Sequence, residues 1–359
     1  AEVSATAVGA PFGPQDLRVT AGERQVTLNW TPAPGFNYNI YWATETGVSK
    51  SDYQEKVAGI DGGSWVHADC AGMPHYYIVT ADNEFGESEA PEEVVATPGW
   101  LEMLTDELNN EDETAVDVAV DAEGNTFVLG WFDLQFEGGK TNGGRDLVVA
   151  KYDTMGVRQW ARTCGSDSDD YAKSIGLDAA GNIYVSGTTF GDWGDYFPNP
   201  TGEYRYNFIL KFDPGCELLR IMTFRPESYD LELYNSLAAD ADGNVYLTGT
   251  FEKFREDDSR ADDFFVCKFN DEGAQEWVKT FDESDYDASH AITLDGQGGV
   301  YLTGRSEGEV LVMKYTGAGD EVWRSLHGNA RGNIGYSIAV NGEYCYVSGE
   351  WDWYTLHIS

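Results

Sequence analysis

Apolar and polar residues alternate in short runs along most of the chain, and glycine-rich turns separate the runs. In RQVTLNW, YNIYWATETG and HYYIVTADNEFGES the apolar side chains fall at every second position. That is the period of a strand with one face buried. Farther on a single phrase recurs: DAEGNTFVLG (121–130), DAAGNIYVSG (178–187), DADGNVYLTG (240–249), DGQGGVYLTG (295–304) and a shortened NGEYCYVSG (341–349). Its closing glycines, Gly130, Gly187, Gly249, Gly304 and Gly349, are 57, 62, 55 and 45 residues apart.

A second phrase follows each copy: DLVVAKYD (146–153), NFILKFD (207–213), FFVCKFN (264–270), VLVMKYT (310–316) and YTLHIS (354–359). A third places Trp160, Leu219, Trp277 or Trp323 four residues after a turn glycine. An apolar alternation such as SIGLD (174–178) or AITLD (291–295) precedes the first phrase. The repeat therefore predicts four antiparallel strands, a to d, in each unit of about 50 residues. One such sheet cannot cover both of its faces, so the units must stack in a ring. Strands a, b and c occur five times but d only four times after residue 115. The missing d strand is expected at the front, in GWLEMLT (99–105), where Trp100 precedes Asp121 by 21 residues as Leu219 precedes Asp240. It would complete the last blade and remove a free edge. The expected fold is all-β: a sandwich over 14–98, then a five-bladed β-propeller over 99–359 closed by that outer strand. Residues 1–13 are an N-terminal strand or linker.

The residues at 14–97 resemble a bacterial fibronectin type III domain. The likeness rests on Pro14, Leu17, Trp30, Tyr38-Asn39-Ile40-Tyr41, Tyr76-Tyr77-Ile78-Val79, Asn83 and Glu87-Ser88. The repeat resembles the bacterial SBBP-type propeller repeat, with its D-x-x-G-N-x-Y-V-x-G turn and K-[YF]-D-x-x-G strand, over nearly all of 115–359. That family is nominally seven-bladed, whereas five copies are present here. The resemblance implies a secreted or cell-surface location and assigns no catalytic residues. AEVSATAVG at the start resembles the sandwich's own last strand, EEVVATPG (92–99). The chain then reads as excised from a longer array, or the strand as one donated to a neighbouring subunit by β-augmentation.

Composition narrows the function classes. Sixty-two acids against 23 Lys plus Arg give a formal charge of −39, which repels phosphate backbones and argues against nucleic-acid binding. No apolar run reaches 18 residues, so membrane insertion through a helix is not expected. The start lacks the pattern of a signal peptide, as a mature or excised chain would. The five cysteines include no CxxC pair. Strand order places Cys164 and Cys216 at opposite ends of the ring, with no disulfide expected in the propeller. The five histidines show no metal-ligand spacing.

DADGN at 240–244 begins like a calcium loop, but Gly243 falls at position 4 and Phe251 at position 12, where an EF-hand needs Gly at 6 and Glu at 12. A hairpin turn explains all the copies. The stronger acidic feature lies eight residues upstream of each turn: Glu113, Asp170, Glu232 and Asp287, with Asn333 in the fifth unit. These are the metal candidates, with Ca²⁺ as the cofactor they would hold around one mouth of the channel; the alternative is solvated loop acids. Trp193, Tyr196, Tyr204, Trp351 and Trp353 in the b-to-c loops are the ligand candidates, for stacking on sugars or packing on a protein. Trp100, Trp160, Trp277 and Trp323 recur at one strand position and read as core or inter-blade packing. No GxSxG, HExxH or phosphate loop occurs. The first expectation is an extracellular non-enzymatic surface protein, its propeller a rigid binding disc, engaging protein partners or its own copies in an array or filament. The alternatives are a lectin-like glycan-binding module and a polysaccharide-degrading enzyme.

Overall fold

The computed structural model describes residues 11–70, 72–99, 114–136, 139–192, 206–224, 230–254, 260–284, 286–328, 332–342, 344–351 and 354–355. Every described element is a strand. Contacts divide the chain into two compact units, Ala1–Leu104 with Tyr152–Arg158, and Thr105–Lys151 with Gln159–Ser359.

Among the described residues the first unit has eight strands: β1 (Gln15–Gly22), β2 (Gln25–Thr31), β3 (Asn37–Ala43), β4 (Glu55–Ile60), β5 (Ser64–Ala68), β6 (His75–Asn83), β7 (Gly86–Glu87) and β8 (Val94–Ala96). One sheet runs β1-β2-β5; the other runs β4-β3-β6-β7, with β8 also on β6. Alternation along β2 buries Val26, Leu28 and Trp30 and leaves Gln25, Asn29 and Thr31 exposed. Those three pack against Tyr38, Ile40, Tyr77 and Val79 of the facing sheet, as a two-sheet sandwich requires. Trp30 belongs to this core, as its place in an alternating strand predicts.

Among the described residues the second unit has five successive sheets. The first is β9 (Thr114–Val120), β10 (Thr126–Phe136), β11 (Gly139–Tyr152) and β12 (Arg158–Cys164). The second is β13 (Asp170–Leu177), β14 (Ile183–Thr189), β15 (Tyr206–Phe212) and β16 (Leu218–Phe224). The third is β17 (Asp230–Ala239), β18 (Val245–Phe254), β19 (Arg260–Phe269) and β20 (Gln275–Phe281). The fourth is β21 (Ala288–Leu294), β22 (Gly299–Ser306), β23 (Glu309–Thr316) and β24 (Glu321–His327). The fifth is β25 (Ile334–Asn341), β26 (Tyr344–Trp351) and β27 (Tyr354–Thr355). Neighbours in sequence are neighbours in each sheet. The strand proposed to close the ring, 99–105, lies outside the described residues apart from Gly99.

The recurring phrases account for the turns. Asp240 is a turn residue: its Oδ1 accepts from Asp242 N (3.0 Å) and Asn244 N (2.9 Å), and its Oδ2 from Asn244 Nδ2 (2.8 Å). Gly243 supplies the positive φ of 81°, which costs glycine little. Asp121, Asp178 and Asp295 bind their own turns in the same way. The lysine of the second phrase lies over the aromatic ring of the first: Lys151 on Phe127, Lys211 on Tyr184, Lys268 on Tyr246 and Lys314 on Tyr301. Lys151 and Lys314 also reach the turn carboxylates Asp121 (3.4 Å) and Asp295 (3.5 Å). On the third-phrase strand, Trp160, Trp277 and Trp323 meet those rings from the other side. Trp277 also donates to Gly317 O of the next sheet at 3.2 Å, which is the inter-sheet packing expected of it. Trp323 stays 37% exposed, and Trp100 lies outside the described residues.

One placement is corrected. Cys164 and Cys216 do not sit at opposite ends; both line one crevice between the first two sheets, with Val149, Val185 and Phe212. The twist of each sheet swings its outer strand across its neighbour, so strand order alone misplaces the two thiols. All five cysteines are free thiols. Burial pushes both Cys164 and Cys216 up to about 12, each aided by nearby negative groups.

Candidate functional site

The first strand of every sheet, β9, β13, β17, β21 and β25, lines one cavity of about 400 Å³. Two adjacent positions on these strands follow different rules. Four residues before the turn Asp or Asn stand Asp117, Ser174, Ser236, Ala291 and Ser337. Three of these side chains, Asp117, Ser174 and Ser236, bind the next inner strand. Asp117 Oδ2 accepts from Ser174 Oγ (2.8 Å) and Ile175 N (2.9 Å). Ser174 Oγ accepts from Leu237 N, and Ser236 Oγ from Ile292 N, both at 3.3 Å. Inner strands of neighbouring sheets run side by side without a backbone ladder, so each buried amide needs a side-chain acceptor.

One residue earlier stand Val116, Lys173, Asn235, His290 and Tyr336. At this point the pairing with the second strand slips. The register jumps between Ala172 and Ser174, between Ser289 and Ala291, and between Gly335 and Ser337. In the first sheet Gly130 pairs Ala115 while Leu129 pairs Asp117, which passes over Val116. In the third the slip spans Glu232 to Ser236. In the first, second, fourth and fifth sheets each slip is a one-residue β-bulge, and the extra residue is turned out of the pleat. Val116, Lys173, His290 and Tyr336 all line the cavity.

The bulge explains the closing glycine of the first phrase. A Cβ on Gly187 would stand 2.4 Å from Tyr171 O, on Gly304 1.9 Å from Ala288 O, and on Gly349 2.0 Å from Ile334 O. The inner strand's backbone presses on the second strand there, and only glycine leaves room.

His290 and Tyr336 come from adjacent bulges, with ring centroids 5.5 Å apart at 71°. Tyr336 donates its hydroxyl to Glu350 Oε2 at 3.1 Å. Burial, with the positive charge of Arg305 adding to it, lowers the His290 imidazole to about 4. It is therefore neutral near pH 7. Arg305 in turn pairs with Asp262 at 3.6 Å. The cavity thus gathers a neutral base, a phenol and one cationic side chain, Lys173; Arg305 is not part of the lining but acts on His290. Among the described residues that line it, Asp117 is the one carboxylate, and its Oδ2 is already engaged by the next strand. None of these residues stood out in the sequence as chemistry. The signal was present as a broken alternation five residues before each turn Asp or Asn and as the repeated glycine opposite.

The residues that the sequence did single out lie elsewhere. Asp170 and Asp287 are fully buried at the start of β13 and just before β21. Asp170 Oδ2 accepts from Ser166 N (2.6 Å) and Ser166 Oγ (2.9 Å). Asp287 accepts from Glu283 N, Ser284 N and Ser284 Oγ, each at 2.7 Å. Asn333 is equally buried, its amide bonded to Gly308 O. These bonds make Asp170 and Asp287 staples of their own loops, the structural role weighed against calcium. Glu232 is in β17, paired with Thr250, but its side chain lies outside the described residues, and so does Glu113. Trp193, Tyr196, Tyr204 and Trp353 lie outside them too. Trp351 ends β26 opposite Tyr354; its side chain is likewise outside.

A second cluster lies in the first unit. His67, Cys70 and His75 bring three ligand-type atoms within 4.8 Å of one another. The sequence reading missed it because the three residues belong to different strands and to the bend between them.

A family model for the SBBP β-propeller repeat matches residues 159–192. No curated protein matches the chain. Among solved structures, a fibronectin type III-like protein from Clostridium thermocellum is 26% identical, covering 26% of this chain and all of that one, with a TM-score of 0.22. The polysaccharide lyase Uly1 is 10% identical over 98% of this chain and 90% of its own, with a TM-score of 0.41. A rhamnogalacturonan lyase from Bacillus licheniformis is 13% identical over 95% of this chain and 74% of its own, with a TM-score of 0.37. The first expectation, a non-enzymatic surface protein, is corrected by this set, in which lyases of polysaccharides recur. At these identities and TM-scores the likeness to solved structures concerns the all-β fold alone.

Proposed function

We propose that the second unit is a five-bladed propeller that degrades an acidic polysaccharide by β-elimination, with its reacting centre at the bulge residues of the cavity. The observation that carries this reading is His290, a cavity-lining imidazole held neutral beside Tyr336. Glycoside hydrolysis needs two carboxylates facing the scissile bond, and the described lining offers only Asp117, which is committed to Ser174 and Ile175. Removing a proton next to a uronate carboxylate needs a neutral base and a cation that quenches the carboxylate charge. His290 takes that proton, Lys173 faces the carboxylate, and Tyr336 protonates the leaving oxygen as the C–O bond breaks and the C=C bond forms. The chain works on extracellular glycans in this reading, secreted or at a cell surface. Its overall negative charge opposes a polyanion at long range, so activity should rise with moderate salt.

The test is the full chain incubated with a panel of uronate-containing and neutral polysaccharides, followed by the ultraviolet absorbance of the unsaturated product. His290→Ala should lower the rate at least about 100-fold with an unchanged circular dichroism spectrum. The wild-type rate should lose its acid limb near pH 4 rather than near the ordinary imidazole value. Cleavage that yields only saturated ends, or a His290→Ala variant as active as wild type, would sink the proposal. Loop aromatics that bind glycan without cleavage would instead favour the lectin-like alternative.

A further inference from the structure

We propose that His67, Cys70 and His75 form a binding site for zinc(II), or a first-row transition ion of similar softness, that ties the two sheets of the first unit together. His67 is in β5, on the sheet β1-β2-β5; His75 opens β6, on the other sheet. Cys70 follows the bend between them. Asp69, with φ of 57°, turns the chain so that Cys70 N donates to Arg24 O at 3.1 Å and Cys70 Sγ lies 3.3 Å from His67 O.

Three features fit a ligand set. The donor atoms all lie within 4.8 Å of one another, and a tetrahedral zinc with bonds of about 2.0–2.3 Å needs them about 3.5 Å apart. Side-chain rotation closes that gap. His75 Nδ1 is 3.0 Å from Met73 O; a carbonyl only accepts, so Nδ1 carries the proton and Nε2 carries the lone pair. Metal-ligating imidazoles are oriented by such a bond to their other nitrogen. His67 Nδ1 is held by Tyr77 Oη at 2.9 Å, and in the tautomer in which Nδ1 donates to that hydroxyl, Nε2 is likewise the free ligand atom. The third feature is the shell. The Trp42 ring lies 4.4 Å from His67 and 5.6 Å from His75, and Trp65 lies 5.3 Å from His67. His75 and Cys70 are each only 3% exposed. An aromatic wall beside the ligands lowers the local dielectric and strengthens coordination.

Two imidazoles and a thiolate suit zinc or copper and not calcium. This matters for a chain of charge −39, whose surface will collect hard cations without specificity. On binding, the Cys70 S–H bond breaks, its proton goes to solvent, and the sulfur pair forms the metal bond. Three protein ligands leave a fourth position for water.

The experiment uses the full chain, reduced and metal-free, in excess Ca²⁺ and Mg²⁺ to saturate the surface acids. Zinc should bind one per chain, release protons, and raise Tm by several degrees, more at higher free zinc. Cobalt(II) should produce a thiolate charge-transfer band. Alkylation followed by peptide mapping should show Cys70 protected by zinc while Cys345 is not. Cys70→Ser and His75→Gln should each abolish the cobalt band. If either variant fails to fold, thiol protection in the wild-type chain still decides. Zinc binding that leaves Cys70 open to alkylation, a cobalt spectrum with no thiolate band, or no stoichiometric binding would overturn the proposal.

Discussion

The turn end of the repeated sheets and the cavity at their centre obey opposite rules. At the turns the same chemistry recurs four times: an Asp that binds its own hairpin, an aromatic ring, and a lysine over that ring. At the bulges the backbone recurs but the side chain does not: Val116, Lys173, His290 and Tyr336. A repeat reuses what holds the fold and is free to vary what the fold presents. Function in such a chain should be sought where the geometry repeats and the chemistry departs.

The strongest challenge to that contrast is the glycine opposite a bulge. Gly304→Ala places a methyl group against Ala288 O, so it should cost about 3 kcal/mol or more and should displace His290. Chemical denaturation would measure the loss. A cost near zero would mean that the bulge is not fixed by its glycine. Asp240→Ala removes the four hydrogen bonds that this carboxylate accepts at one turn and should cost about 2 kcal/mol. The cavity and its activity should survive, because the turn and the bulge are different devices.

The pH dependence separates the same two regions. His290 is depressed in the folded chain, to about 4, while the unfolded imidazole titrates near its ordinary value. The unfolded chain therefore binds more protons between these limits, and stability falls as pH drops from about 6.5 to 4. This contribution, on the order of 2 kcal/mol, is present in full above that window. His290→Gln should flatten the slope there. The turn carboxylates Asp121 and Asp295 behave differently. Burial pushes them up, but their turn amides and lysines outweigh it and hold both below the usual range. Their contribution persists to lower pH and is lost only as pH falls through the depressed values. The smallest effect belongs to the lysine over the ring: Lys268→Met should change stability by under about 1 kcal/mol, since its pair with Glu276 is half in solvent.

The repeat was legible because it is local. A turn Asp, its Asn and its Gly interact within five residues, and strand alternation needs no distant partner. Strand order within each sheet followed from these signals, as did the reading of DADGN as a hairpin. The acids eight residues upstream were legible as a pattern but not as a role. Asp170 and Asp287 are equally regular whether they bind calcium or their own loop amides, and the hydrogen bonds to Ser166, Glu283 and Ser284 became visible only in the tertiary structure. The cysteine placement failed because strand order ignores twist.

The sequence by itself determined the strands, their turns and their succession, because short-range hydrogen bonding and period-two burial fix those without reference to the rest of the chain. Tertiary structure alone decided which residues meet. His290 faces Tyr336 because two bulges on neighbouring inner strands turn them into one cavity. His67 meets His75 because two sheets of a sandwich face each other across a core. In both cases the partners are distant along the chain, or on opposite sheets, and no spacing in the sequence encodes a distance that packing sets.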